Sequence, residues 1–132
     1  MIDLDLRNRT YAEFVRFGRA PRAEELGPRE EVRAGWRRLH EAHALVLDGD
    51  DILMANPFSA VPTPYRVEAD GRWWYGNCAW DAFGICVLFG GEGRIEHRDI
   101  VVRVRDCRPD DEALVFQVLV PASHWWDDIV YT

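Results

Sequence analysis

Apolar and polar residues follow two different periods along this chain. Apolar positions recur at roughly helical spacing up to about residue 44, and from there on they alternate or run continuously between turn residues. Tyr11-Ala-Glu-Phe-Val-Arg-Phe17 predicts a short amphipathic helix closed by Gly18, and Glu24-Glu-Leu-Gly27 predicts a brief turn or helix. Pro28 to His43 predicts a longer helix, with Pro28, Glu30 and Glu31 at its favourable end and Val32, Trp36, Leu39 and His43 along one stripe. Leu45-Val-Leu47, a turn over Asp48-Gly-Asp-Asp51 and Ile52-Leu-Met-Ala55 predict a hairpin. Helices followed by a hairpin give residues 1–55 the order of a winged-helix unit.

Asn56 to Pro64 contains Pro57, Pro62 and Pro64, which predicts a rigid irregular connection rather than a strand or helix. Phe58 and Val61 on it either pack on the core or wall a pocket. Tyr65-Arg-Val-Glu-Ala69, the Asp70-Gly71 turn and Arg72-Trp-Trp-Tyr75 predict a second hairpin, which leads into a helix over 78–89 that is apolar on most faces, with Asn77 as its N-cap. Arg98 to Arg105 alternates, with Ile100, Val102 and Val104 inward. After a turn over Cys107 to Glu112, Ala113 to Val120 predicts a largely buried strand paired antiparallel with it. The fold class is therefore α+β, with residues 65–132 as a core of antiparallel strands around a buried helix.

Composition narrows the function. The 132 residues are 48% hydrophobic and 30% charged, enough for one cooperative core. No run of about 18 apolar residues is present, and the N-terminus carries alternating acids where a signal peptide would be basic, which predicts a cytoplasmic protein with no membrane partner. The net charge of -7 disfavours general attraction to nucleic acid. Arg33, Arg37 and Arg38 on the third helix keep one alternative open, a winged-helix transcriptional or interaction module. Gly90 to Gly93 lacks the spacing of a phosphate loop. The three cysteines, Cys78, Cys86 and Cys107, lack CxxC spacing and predict reduced thiols.

The candidate chemistry centres on Asn77-Cys-Ala-Trp-Asp-Ala-Phe-Gly84. Cys78 and Asp81 lie three residues apart at a predicted helix start and share one face. The unpaired N–H groups and positive dipole end there favour a thiolate. Cys86 lies about 12 Å further along the same helix, too far to share a ligand with Cys78. His97 and His124 are the other soft-metal ligand types, and the His124-Trp-Trp-Asp-Asp128 run fits either a pocket rim or core packing. No local spacing predicts a zinc site, and no GxSxG elbow supports a hydrolase.

Three segments, Ala55-Asn-Pro-Phe-Ser-Ala-Val-Pro-Thr-Pro-Tyr65, Arg72-Trp-Trp-Tyr-Gly-Asn-Cys-Ala-Trp-Asp-Ala-Phe-Gly84 and Val120-Pro-Ala-Ser-His-Trp-Trp-Asp-Asp-Ile-Val-Tyr-Thr132, resemble the alkylmercury lyase family. The resemblance implies a small winged-helix-like N-terminal unit on an alkylmercury-lyase-like core. It also implies protonolysis of a carbon–mercury bond, with Cys78 as mercury-binding thiolate, Asp81 as proton carrier and both as ligands of the metal left behind. Phe58, Trp74, Trp80, His124 and Trp125 are the expected pocket residues. No organic cofactor is expected; the partners are a small organomercury compound or soft metal ion and the cytosolic thiols that remove the product. The family pattern uses a second catalytic cysteine, and the corresponding place, at or just beyond Val130-Tyr-Thr132, holds none in this sequence. A non-catalytic soft-metal or thiol-reactive-ligand binder is the alternative.

Overall fold

The computed structural model describes residues 1–118 and 120–130. Three helices open the chain: α1 (Leu4–Phe17), α2 (Ala23–Leu26) and α3 (Arg29–Glu41). Helix α1 begins well before the predicted Tyr11, because Asp3 caps it by accepting the Leu6 N–H at 2.9 Å and Leu6, Thr10 and Phe14 supply a buried stripe. It ends at Gly18, whose φ of 68° suits glycine. Helix α3 buries Val32, Gly35, Trp36 and Leu39, while His43 lies beyond it and is exposed. The Trp36 indole donates to Thr10 Oγ1 at 3.0 Å and the Thr10 hydroxyl donates to Leu6 O at 2.8 Å, so these two buried groups between α1 and α3 are satisfied.

The strands are β1 (Val46–Asp48), β2 (Asp51–Ala55), β3 (Phe58–Ser59), β4 (Tyr65–Ala69), β5 (Arg72–Gly76), β6 (Gly93–His97), β7 (Ile100–Arg105) and β8 (Arg108–Pro109). They form one antiparallel sheet in the order β1-β2-β3-β5-β4-β6-β7-β8. Helix α4 (Ala79–Leu88) packs on β4, β5 and β6.

Three further expectations fail. The proline-rich connection contributes strand β3, which pairs Ala55 with Phe58 on one side and Phe58 with Gly76 on the other. Its prolines flank the Phe58-Ser59 dipeptide, leaving both N–H groups available to the ladder. The second failure is Ala113 to Val120, which is not a buried strand: residues 113–118 are exposed non-strand chain, and Leu119 lies outside the described residues. The places beside β7 are taken by β6, whose single buried apolar residue Ile95 gives little sequence signal, and by β8. A continuous apolar run does not by itself distinguish a buried strand from a surface segment. Third, Ile100 is exposed, while Val102 and Val104 are buried as expected.

The core crosses from the helices to the sheet. Phe14 of α1 stacks on Phe58 at 5.6 Å, Phe58 meets Trp74 at 6.0 Å, and Trp74 stacks on Phe89 at 4.6 Å. The Trp74 indole donates to Phe14 O at 3.2 Å, which satisfies a buried polar group within that stack. Among the described residues no helix is long and apolar enough to cross a membrane.

Candidate functional site

The site begins where β5 turns into α4. A Cβ on Gly76 would lie 2.9 Å from Ala82 N, so only glycine lets the first turn of α4 rest against the strand end. The Thr63 hydroxyl donates to Gly76 O at 2.6 Å and fastens the same corner.

Cys78 is the N-cap of α4, a place expected for Asn77. Its backbone is extended and its Sγ accepts the Asp81 N–H at 3.4 Å. Sulfur thus replaces the usual oxygen in satisfying a free amide of the first turn. Cys78 and Asp81 are each half-buried and joined through this contact.

The electrostatics differ from the dipole argument. Burial pushes the Cys78 thiol above its ordinary range; the Asp81 N–H opposes this, the Asp81 charge adds to it and the Trp80 N–H opposes it again. The result is a protonated thiol at neutral pH rather than a resting thiolate, because desolvation outweighs the helix end. Burial also raises the Asp81 carboxyl, against the Asn77 amide that donates to it. A neutral thiol therefore stands beside a carboxyl group displaced toward neutrality.

Two residues of this neighbourhood had no chemical role in the sequence reading. Asn77 donates to Asp81 Oδ2 at 3.1 Å, and its position four residues before the acid was a legible signal for that bond. Tyr11 of α1 is close enough for the Asp81 charge to help raise its phenol, after burial as the main cause and against the nearby Arg7. The Tyr11 hydroxyl donates to Ala44 O at 3.5 Å. No local pattern connects Tyr11 with Asp81, because the fold alone brings α1 to α4.

The expected pocket residues are dispersed. Phe58 and Trp74 are buried in the aromatic stack of the core, and the Phe58 carbonyl accepts from Asn77 at 3.2 Å. Trp80 is 70% exposed on the outer face of α4, where Phe116 packs edge-on against it and against Phe83. His124 and Trp125 sit on an exposed 3₁₀ turn, Ala122–Asp127; His124 Nδ1 lies 2.9 Å from Asp127 Oδ2, and the Trp125 indole donates to Val120 O at 2.8 Å. The next residue, Trp126, stacks on His43 at 4.0 Å, placing the turn against the end of α3 beside a cleft of about 460 Å³.

The other sulfurs face elsewhere. Cys86 is fully buried against Gly93, and burial pushes its thiol up to about 11. Cys107 is exposed in the turn after β7, with its sulfur against Gly91. Among the described residues no group of three or more His, Cys, Asp and Glu side chains converges as a metal site. On α3, Arg33 pairs with Asp50 and Asp51 at 3.7 and 3.4 Å and Arg37 with Asp50 at 3.8 Å, so the adjacent hairpin offsets their charge. His97 Nδ1 lies 3.2 Å from Pro64 O and its ring stacks on Tyr65.

Comparison with known proteins adds two findings. The profile of the alkylmercury lyase family matches residues 58–132. In fold the chain is similar to the crystal structure of the mercury-bound form of MerB2, with a TM-score of 0.61 and 19% identity over 81% of this chain. It spans 59% of the length of that protein. No curated protein sequence matches the chain.

Proposed function

The chain belongs to the alkylmercury lyase family, and from that premise we propose that it cleaves the carbon–mercury bond of a small organomercury compound by protonolysis at Cys78 and Asp81. The single observation that carries this reading is the contact between the Cys78 sulfur and the Asp81 N–H at 3.4 Å, which holds a thiol beside a partly desolvated carboxyl at one helix start. Soft mercury selects sulfur. As Cys78 sulfur bonds to mercury, the Asp81 carboxylate takes the thiol proton and the original counter-ligand leaves as an anion. The carboxylic acid then returns that proton to the carbon, the electron pair of the carbon–mercury bond becomes the new C–H bond, and the hydrocarbon departs. Mercury remains on Cys78 and Asp81. Since the Cys86 and Cys107 sulfurs pack against Gly93 and Gly91, a small solution thiol supplies the further sulfur and removes the metal.

The raised pKa values fit this cycle. A neutral thiol brings the proton the reaction consumes, and a carboxyl displaced upward binds and releases it near neutral pH more readily than an ordinary aspartate. In this reading residues 1–55 form a winged-helix-like unit that supplies Tyr11 to the neighbourhood of Asp81, residues 56–64 connect it to the lyase-like core of 65–132, and the protein works in the cytoplasm. Nucleic acid is not its partner, in keeping with the ion pairs of Arg33 and Arg37.

The test is benzene release from a phenylmercury salt with excess small thiol. Release above the thiol-only background, lost in both Cys78→Ser and Asp81→Ala, is the expected result. A second reading, a binder of soft metal or thiol-reactive ligands without turnover, is favoured by Cys78 being the one cysteine that the described residues bring to Asp81. Stoichiometric mercury uptake through Cys78 with no hydrocarbon release would replace the first reading by the second. Full mercury affinity in Cys78→Ser would remove both.

A further inference from the structure

Asn77 occupies an unusual place. Its side-chain nitrogen lies 3.0 Å from Asn56 Oδ1, 3.1 Å from Asp81 Oδ2, 3.2 Å from Phe58 O and 3.3 Å from Pro57 O. Its side-chain oxygen is buried and has no hydrogen-bond partner among the described residues. Two backbone carbonyls and a carboxylate oxygen are acceptors under any assignment, so the amide is held with its nitrogen inward; rotating it would set an oxygen against three others. An unpaired buried carbonyl costs free energy, and here the crowd of acceptors around the nitrogen offsets that cost.

Because the Asn77 nitrogen only donates, Asp81 Oδ2 is fixed as an acceptor. The Asn77 contact is the hydrogen bond that the Asp81 carboxyl makes within the described residues, and it leaves Oδ1 without one. We propose that Asn77 is the positioning residue of the site: its amide ties the Asn56–Phe58 segment to Asp81 and assigns Oδ1 as the oxygen that takes the proton from the Cys78 thiol and hands it to the departing carbon. This rests on the lyase reading for the reaction but not for the tie itself. The Asn77 nitrogen bonds to Asp81 and to the 56–58 segment, and in this proposal it acts by holding the carboxyl plane while Oδ1 exchanges its proton. The same amide joins residues 56–58 to the carboxyl group.

Two measurements on the full chain separate the tie from the chemistry. In nuclear magnetic resonance spectra the Asn77 side-chain NH₂ is expected to show slowed exchange with water and a shifted resonance, and both change when Asp81 becomes Ala. An NH₂ signal at the position of a free amide, unmoved by Asp81→Ala, overturns the proposal whatever the enzyme does. In benzene release from phenylmercury, Asn77→Leu, close in shape but without a donor, is expected to lower kcat by roughly tenfold to a hundredfold with KM and stoichiometric mercury capture little changed. Asn77→Asp, which sets a second acceptor against the carboxyl group, is expected to lose at least as much. An unchanged kcat in both folded variants overturns the positioning role. A wild-type protein that releases no benzene but keeps the Asp81-sensitive NH₂ signal sinks the lyase reading and leaves the tie standing.

Discussion

Helix α4 carries two cysteines in opposite circumstances. Cys86 sits two turns in, fully buried against β6, with a thiol pushed up to about 11 and no carboxyl partner among the described residues. Cys78 sits at the open end, half-buried, with the Asp81 amide on its sulfur. Burial raises both thiols, so the difference is not which one ionises. What distinguishes Cys78 is a neighbouring acid, Asp81, to which the proposed reaction assigns the thiol proton. A buried thiol becomes chemically useful through a proton acceptor and an entry path, and desolvation alone makes it inert.

The sharpest way to break this comparison is to remove the acid. Asp81→Ala is expected to lower hydrocarbon release by about a hundredfold or more, the usual scale for losing a general acid or base, while Cys86→Ala leaves release unchanged. Equal losses from the two substitutions would mean that α4 acts only as a scaffold.

Cys86 should announce itself in alkaline stability instead. Its thiol rises from 9.0 to about 11, so the unfolded chain ionises first as pH climbs. Stability is therefore full below about pH 9 and is lost progressively up to about pH 11, by an amount on the order of 2 to 3 kcal/mol. Urea titrations of the wild type and Cys86→Ala across that range should diverge, with the variant showing the flatter profile.

Gly76→Ala tests whether the open end depends on the corner beneath it. The added methyl meets the Ala82 backbone at about 3 Å, and the cost expected from denaturation is about 1 to 3 kcal/mol. The smallest effect belongs to Asp81→Asn. With its carboxyl raised in the folded state, Asp81 binds more protons folded than unfolded, so its contribution to stability is best in acid and is lost as pH rises through the folded value. As pH rises above about 4, the ordinary aspartate range, Asp81→Asn should therefore gain stability relative to wild type, by less than about 1 kcal/mol at this half-exposed site. A constant difference across that range would remove desolvation as the cause.

Part of this arrangement was legible in the residues. The spacing of Cys78 and Asp81, the apolar length of α4 and the turns at Asp48-Gly49 and Asp70-Gly71 are local, and periodicity and turn chemistry report on local structure. The aromatic pocket was not. Phe58, Trp74 and Trp80 are alike in composition, yet two fill the core and one faces outward, and only the packing of α1 and α4 on the sheet decides between these fates. Strands β3 and β6 gave little signal because β3 is only two residues long and β6 buries a single apolar residue, Ile95. The run Ala113 to Val118 shows the converse, a strong apolar pattern left on the surface because β8 had taken the strand edge beside it.

The sequence by itself determined the helix-rich start, the two hairpins, the apolar α4 and the pairing of a thiol with an acid at its first turn, since each depends on residues within a few positions of one another. Tertiary structure alone decided that burial would keep that thiol protonated, that Tyr11 would reach the field of Asp81, and that the amide of Asn77 would be surrounded by acceptors from the 56–58 segment. Desolvation and convergent hydrogen bonding depend on what the folded chain places around a group, and that surrounding is assembled from segments whose order in the sequence carries no record of their distance in space.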